Sequence, residues 1–158
     1  MACLFGRNLT HLHRPSPDDN EGNLNGEFWR RHRGLDNILL NISLGLPDHL
    51  RLPLGSYDPK IVFLNMCIHT STICLHQAAI FKADSNQMSA NVAAESKVRC
   101  ITAAAETASI MRMISHQDLS GVRQLQQHLQ LCCMLTSNRR TLLPRFACMS
   151  PPAYSSST

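Results

Sequence analysis

Residues 58–81 read DPKIVFLNMCIHTSTICLHQAAIF, and this stretch decides the fold. Asp58 is a favourable N-cap, and Pro59 suits the first helical position, where its missing N–H is not needed. From Ile61 to Phe81, apolar residues fall on almost every face of a helix. A helix that is apolar all round is typical of the centre of a helical array. The sequence therefore predicts a long buried helix at this position.

The length of this helix raises the alternative of a membrane span. The polar side chains that interrupt it include Asn65, His69, His76 and Gln77. Each is costly in hydrocarbon. We therefore expect a buried helix of a soluble protein and no membrane partner.

A helix is predicted on the N-terminal side of this stretch, beginning near Asn25 or Gly26 and stopped by Pro47. Its apolar stripe recurs every three or four residues: Phe28, His32, Leu35, Leu39, Ile42 and Leu46. Between the two helices, Leu50, Leu52 and Leu54 alternate with polar residues and prolines. The prolines argue against a central strand, so we expect an extended loop over the core.

A third helix is predicted from about Ser89 to Ser115. Its Ala-rich stripe is expected to let a neighbouring helix approach closely: Ala94, Val98, Ile101, Ala105, Ala108 and Met111. The predicted fold class is all-α, a partial array of three main helices with a disordered leader and an irregular C-terminal tail.

The predicted organisation has three parts. Residues 1–25 are polar and lack an apolar period, so they are expected to be a disordered leader. Residues 26–120 form the helical domain. Residues 121–158 lose the apolar pattern and are expected to be a divergent tail of low order, arising from a changed reading frame, a retained intron or an alternative exon.

Composition limits the possible function and cellular setting of the chain. The net charge of +4 is too small to indicate nucleic-acid binding without a clustered patch. Seven cysteines, an odd number, and the lack of an apolar signal segment at the start indicate a reducing, intracellular, non-secreted setting.

Cysteine and histidine are plentiful, but their spacing does not predict a metal site. Cys67 and Cys74 are seven residues apart, as are His69 and His76. Seven residues of helix rise about 10 Å, too far for a shared metal. We expect buried thiols and histidines of the core or of inter-helix hydrogen bonds. His128 and Cys132 could bring together two ligands, which do not make a site.

Motifs for catalysis are missing as well. The sequence contains no Gly-x-Ser-x-Gly turn, no Gly-rich phosphate loop and no acid pair in a structured segment. We therefore predict no enzyme activity and assign no catalytic, cofactor-binding, metal-binding or DNA-binding residue.

One cluster could contact other molecules: Trp29, Arg30, Arg31 and Arg33. It is a candidate interaction or nuclear-import patch. The alternative is a solvated helix face that Trp29 anchors to the core. Pairing with Glu27 or Asp36 is expected to relieve the basic charge near the helix N-terminus.

Four stretches resemble a known family: FWRRHRGLDN (28–37), LPDHLRLP (46–53), IHTSTICLHQAAI (68–80) and CITAAAETASIMRMISH (100–116). Together they resemble the regulatory middle homology domain of fungal binuclear zinc-cluster transcription factors. The resemblance implies an all-α regulatory domain of a nuclear factor that acts on RNA polymerase II genes. It also implies protein partners, namely a full-length factor and co-regulators.

The sequence departs from this family twice. The family's cluster of six cysteines and two zinc ions is missing, so we expect no cofactor in this chain and only indirect contact with DNA. The resemblance also stops after Ser120. We therefore expect a regulatory-domain fragment with unpartnered apolar faces and a tendency to aggregate. The alternatives are a free-standing helical interaction module, a dominant-negative partner of a full-length factor, or an enzyme or metal protein with an unrecognised site.

Overall fold

The computed structural model describes residues 6–8, 10–11, 21–52 and 58–114. Within these ranges the chain is helical and contains no strand, which confirms the all-α class with three main helices. The helices are α1 (Glu27–Leu44), α2 (Pro59–Ser85) and α3 (Ala90–Ile114), with a short 3-10 helix at Asp48–Leu50. The predicted tail, with His128 and Cys132, lies outside the described residues.

Helix α2 is the central element, as predicted. The Asp58 carboxylate accepts a hydrogen bond from the Lys60 backbone N–H at 2.8 Å, and Pro59 begins the helix. The helix packs against both α1 and α3. Because it has neighbours on two sides, it buries side chains on most of its circumference: Val62, Met66, Ile68, Thr70, Ser71, Cys74, Leu75, His76, Ala79 and Ala83.

Helix α1 begins after Gly26, which is the N-cap without a side-chain hydrogen bond. The predicted stripe faces α2: Phe28, His32, Leu35 and Leu39 are buried, and Ile42 is half-buried. The helix ends before Pro47, where the N–H of Gly45 bonds to the Asn41 carbonyl at 2.8 Å. A Cβ at Gly45 would lie 2.9 Å from that oxygen, so the close approach requires glycine.

The predicted inward stripe of α3 is wrong. Val98 and Ile101 are 63% and 69% exposed. The buried residues follow a different line along the helix: Ala93, Ser96, Ala103, Ile110 and Ile114. At 3.6 residues per turn, the two lines lie on nearly opposite faces. Met111, the last residue of the predicted stripe, is the exception and packs against the core cluster of Ile110 and Ile114. Helix α3 therefore turns Val98 and Ile101 outward and buries Ile110 and Ile114.

The leader is also more ordered than the sequence predicts. Residues 6–8 and 10–11 are helical, and Asn8 and His11 are 2% and 5% exposed. The Asn8 amide donates a hydrogen bond to the Ser71 carbonyl on α2 at 2.7 Å. At these positions the expectation of a disordered leader is corrected; residues 1–5, 9 and 12–20 lie outside the described residues.

The connection between α1 and α2 is described only as far as Leu52. It contains the 3-10 helix, so the prediction of a purely extended loop does not hold for this part. Leu52 packs on a cluster that joins the N-terminal half of α2 to the C-terminal end of α3. Residues 53–57, which include Leu54, are outside the described ranges.

None of the helices in the described part of the chain combines the length and hydrophobicity that crossing a membrane requires. For α2, this agrees with the polar residues that interrupt its apolar run.

Candidate functional site

The structure does not bring the four residues of the candidate patch together on one surface. Trp29 is only 4% exposed, and its indole N–H donates to the Glu21 carbonyl at 2.8 Å. Arg30 and Arg31 both pair with Glu27, at 2.9 and 3.3 Å. Trp29 is therefore an anchor in the core.

The exposed remainder of this patch is small. Arg33 reaches back to donate to the Leu24 carbonyl at 2.8 Å, and Arg30 stays exposed beside Glu27. Asp36 pairs with Arg99 and not with these arginines, although it was one of their two expected partners. Arg30 and Arg33 are therefore the two exposed members of the candidate patch, and each already has a contact within the chain.

Asp36 instead lies at the centre of a polar network that joins all three helices. Its Oδ1 atom lies 3.1 Å from Nε2 of His76 on α2 and 2.5 Å from the Arg99 guanidinium on α3. The other ring nitrogen of His76, Nδ1, lies 3.1 Å from the Ser96 hydroxyl on α3. We call Asp36, His76, Ser96 and Arg99 the polar clamp.

The protonation states in the clamp follow from its geometry. Burial raises the pKa of Asp36, but the hydrogen bonds from His76 and Arg99 outweigh it and bring the pKa to about 2. Asp36 is therefore a carboxylate and can only accept, so Nε2 of His76 must carry a proton. In the neutral tautomer of His76, the Ser96 hydroxyl donates to Nδ1.

A second histidine extends the clamp toward the leader. The ring of His32 stands edge-on to that of His76, with centroids 5.1 Å apart. His11 from the leader lies 6.4 Å from His32 and stacks on Phe28 at 4.7 Å. Burial, and then the neighbouring His76 and His11, lower the pKa of His32 to about 3. His32 is therefore neutral over the physiological range.

The clamp contains a Ser, a His and an Asp in one hydrogen-bonded chain, the residue types of a hydrolytic triad. In a triad the serine hydroxyl must be open to the substrate. Here Ser96 is 4% exposed and His76 is 2% exposed. All four clamp residues come from the contact faces of α1, α2 and α3, so their geometry is that of a link between helices.

No set of three or more metal-ligating side chains converges within the described residues. Cys74 is buried, as predicted, whereas Cys67 is half-buried. Burial raises the pKa of Cys67, and it raises the pKa of the Cys100 thiol to about 11. Cys100 is therefore almost wholly protonated at neutral pH, and its thiol lies 3.6 Å from the Ile73 carbonyl.

The two predicted core histidines differ in environment. His76 makes the predicted inter-helix hydrogen bonds. His69 is only half-buried, and burial lowers its pKa while the nearby charge of Glu106 opposes that effect.

Sequence reasoning missed the pairing of Asp36 with Arg99, which are 63 residues apart, and the outward face of α3. No local spacing in the sequence signals the pairing of Asp36 with Arg99. The outward face of α3 is visible in the sequence as a stripe, but a stripe alone does not show whether it faces the core or the solvent.

No family model matches the sequence, and neither a curated protein nor a solved structure matches it. The sequence resemblance and the surfaces described above are therefore what a functional proposal can rest on.

Proposed function

We propose that this chain is a fragment of a regulatory domain of the zinc-cluster transcription-factor type. It acts in the nucleus on RNA polymerase II genes through contacts with a full-length factor and with co-regulators. It has no cofactor or catalytic residue of its own, and it reaches DNA only through a partner that carries the zinc cluster.

The resemblance of residues 28–37, 46–53, 68–80 and 100–116 carries this proposal. The described positions of these stretches fall in α1, the following 3-10 helix, α2 and α3. Two clamp residues, Asp36 and His76, lie inside them. A sequence similar to a helical regulatory domain thus coincides with helices that pack on one another, which supports the proposal.

A tethering assay tests the proposal. The full chain is fused to an unrelated DNA-binding domain, and transcription is measured from a reporter that carries the matching sites. We expect reporter output at least about threefold above or below that of the DNA-binding domain alone. Equal output from equally abundant nuclear fusions would contradict a regulatory role.

A second candidate function is a free-standing interaction module that acts as a dominant-negative partner. The exposed Val98 and Ile101 favour it, because a module of this kind needs an apolar contact surface. A co-expression experiment distinguishes the two candidate functions. The untethered chain is expressed together with an intact zinc-cluster factor, in which the DNA-binding domain is still attached to its own regulatory region. Loss of that factor's activity, with no effect of the tethered chain, would favour the second candidate.

A further inference from the structure

Three histidine rings from three different segments lie in a row in the described part of the chain. His11 comes from the leader, His32 from α1 and His76 from α2. The ring centroid of His32 lies 6.4 Å from that of His11 and 5.1 Å from that of His76. All three residues are buried, with 5%, 7% and 2% exposure in chain order. A proton added to His32 would therefore place a charge in a site that is closed to water and lies beside two other histidines.

The groups around His32 disfavour a charge on its ring. Burial lowers the pKa of the ring most, and the two neighbouring histidines and Arg33 on the same helix lower it further. The Asp36 carboxylate raises this pKa, but its charge is already shared between His76 and the Arg99 guanidinium on α3. His32 can therefore take up a proton readily only after part of this surrounding structure has moved away.

The described leader residues 6–8 and 10–11, which we call the strap, can move away without unfolding the helices. None of the three apolar clusters in the described part of the chain contains a strap residue. The strap is held by the Asn8 hydrogen bond to the Ser71 carbonyl and by the stacking of His11 on Phe28. The core of the three helices therefore does not depend on the strap.

The chain is attached a second time at Glu21, between the strap and α1. The Glu21 carboxylate pairs with Lys82 on α2, and the Glu21 carbonyl accepts a hydrogen bond from the Trp29 indole. These contacts do not involve the strap, so they can hold the start of α1 in place when the strap leaves. Release of the strap would therefore be a local opening of the structure.

The docked strap is accompanied by buried polar atoms without partners. The side-chain oxygen of Asn8, the hydroxyl of Ser71 and Nδ1 of His32 are buried and have no hydrogen-bond partner among the described residues. Each of these atoms forms hydrogen bonds freely when it is exposed to water, so burying it opposes docking. The strap is therefore held by few contacts, some of whose benefit is offset at the same place.

We propose that the strap is an acid-released device: a proton on His32 drives residues 6–8 and 10–11 off α1 and α2 while the three helices stay folded. Release separates His11 from His32, gives the His32 ring access to water and uncovers the Phe28 ring. This inference goes beyond the proposed transcriptional role and does not rest on it.

The size of the effect follows from the pKa of His32 in the two forms. This pKa is about 3 with the strap docked, and it rises toward the ordinary value of 6.5 once the ring meets water. Because the released form binds the proton more tightly, release is favoured as the pH falls below 6.5. Between pH 7.5 and pH 5.0 the ratio of released to docked chains should rise about five- to thirtyfold, the upper value applying if the pKa reaches 6.5 in spite of His76.

Hydrogen–deuterium exchange of the full chain at pH 7.5 and pH 5.0 tests the proposal, with exchange times scaled for the intrinsic pH dependence of amide exchange. Protection of peptides that contain the strap should fall about five- to thirtyfold at pH 5.0, and it should stay at least about tenfold below that of α2. His32→Gln should remove most of this pH dependence, whereas the control His49→Gln, at an exposed position, should retain it. Equal protection of the strap and α2 at both pH values would overturn the proposal, because release and unfolding would then be one event. An undiminished pH dependence in His32→Gln would also overturn it.

The reciprocal effect gives a second readout that keeps the native His32. If the proton loosens the strap, then loosening the strap must make His32 easier to protonate. Asn8→Ala removes the hydrogen bond to α2 and should raise the apparent pKa of His32 toward 6.5, as followed by NMR of the ring C–H signals. The matched control is Thr10→Ala, an exposed position in the same strap, which should leave the titration unchanged. The same His32 titration in Asn8→Ala and in the parent chain would overturn the proposal.

Discussion

Replacing Asp36 with asparagine tests the polar clamp most directly. The asparagine would keep the shape of the side chain and could still accept a hydrogen bond from His76, but it would leave the Arg99 guanidinium without its counter-charge. The Asp36 side chain is 22% exposed, so solvent screens this pair only partly. The difference between its ordinary pKa of 3.8 and about 2 corresponds to roughly 2 kcal/mol.

We therefore expect Asp36→Asn to lower the free energy of unfolding by about 2 kcal/mol at pH 7. With a urea dependence of about 1–3 kcal/mol per molar, the midpoint should fall by roughly 1 M. Trp29 is the only tryptophan of the chain and is buried, so its fluorescence reports unfolding.

The pH dependence gives an independent check on the same residue. The native pKa of Asp36 is lowered, so its contribution to stability is present above pH 3.8 and is lost as the pH falls toward 2. Asp36→Asn removes the titrating group, so the loss of stability over that interval should be smaller in the variant than in the parent chain.

The matched control is Asp48→Asn, because the Asp48 side chain is fully exposed and lies 3.9 Å from Arg51. Its urea midpoint should equal that of the parent chain. If Asp36→Asn and Asp48→Asn have the same midpoint at pH 7, the clamp does not stabilise the fold and this reasoning fails.

Two further predictions concern the leader and the buried histidine. The lowered pKa of His32 means that unfolded chains bind a proton that native chains do not. Stability should therefore fall as the pH drops from 6.5 toward 3, and less steeply in His32→Gln than in the control His49→Gln; equal slopes would contradict this. Asn8→Ala removes a buried hydrogen bond to Ser71 and should cost about 1–2 kcal/mol in urea unfolding, whereas the exposed Thr10→Ala should cost much less; equal losses would refute docking of the leader.

The sequence predicted the elements whose causes are local. The start of α2 follows from Asp58 and Pro59, and the contact face of α1 follows from a stripe that begins at Phe28 and continues to Leu39. Each of these signals lies within a few residues of the feature it determines. A cap or a stripe can therefore be read from one sequence.

The rotation of α3 could not be read in this way. Periodicity identifies stripes on α3 but does not tell which of them faces the core. The structure buries the stripe whose Ile110 and Ile114 pack on α2, and Ser96 and Arg99 beside it have partners 20 and 63 residues away in the sequence. The leader was missed for the same reason: Asn8 lacks an apolar period around it, and its partner is 63 residues distant.

The basic patch shows a related limit. The composition around Trp29 is that of a contact surface, but an indole is also a large apolar body that prefers burial. The Trp29 indole points inward, where its N–H donates a hydrogen bond to the Glu21 carbonyl. Glu21 lies in the segment that the sequence assigns to the disordered leader.

The clamp and the exposed face of α3 are two consequences of one orientation. Turning α3 by half a turn would bury Val98 and Ile101, but it would expose Ile110 and Ile114, which are 5% and 4% exposed in the present orientation. It would also separate Arg99 from Asp36 and Ser96 from His76, whereas Asp36 and His76 would keep their contact between α1 and α2. The apolar gain and loss are therefore comparable, and the two polar contacts made by α3 favour the orientation that leaves Val98 and Ile101 outside.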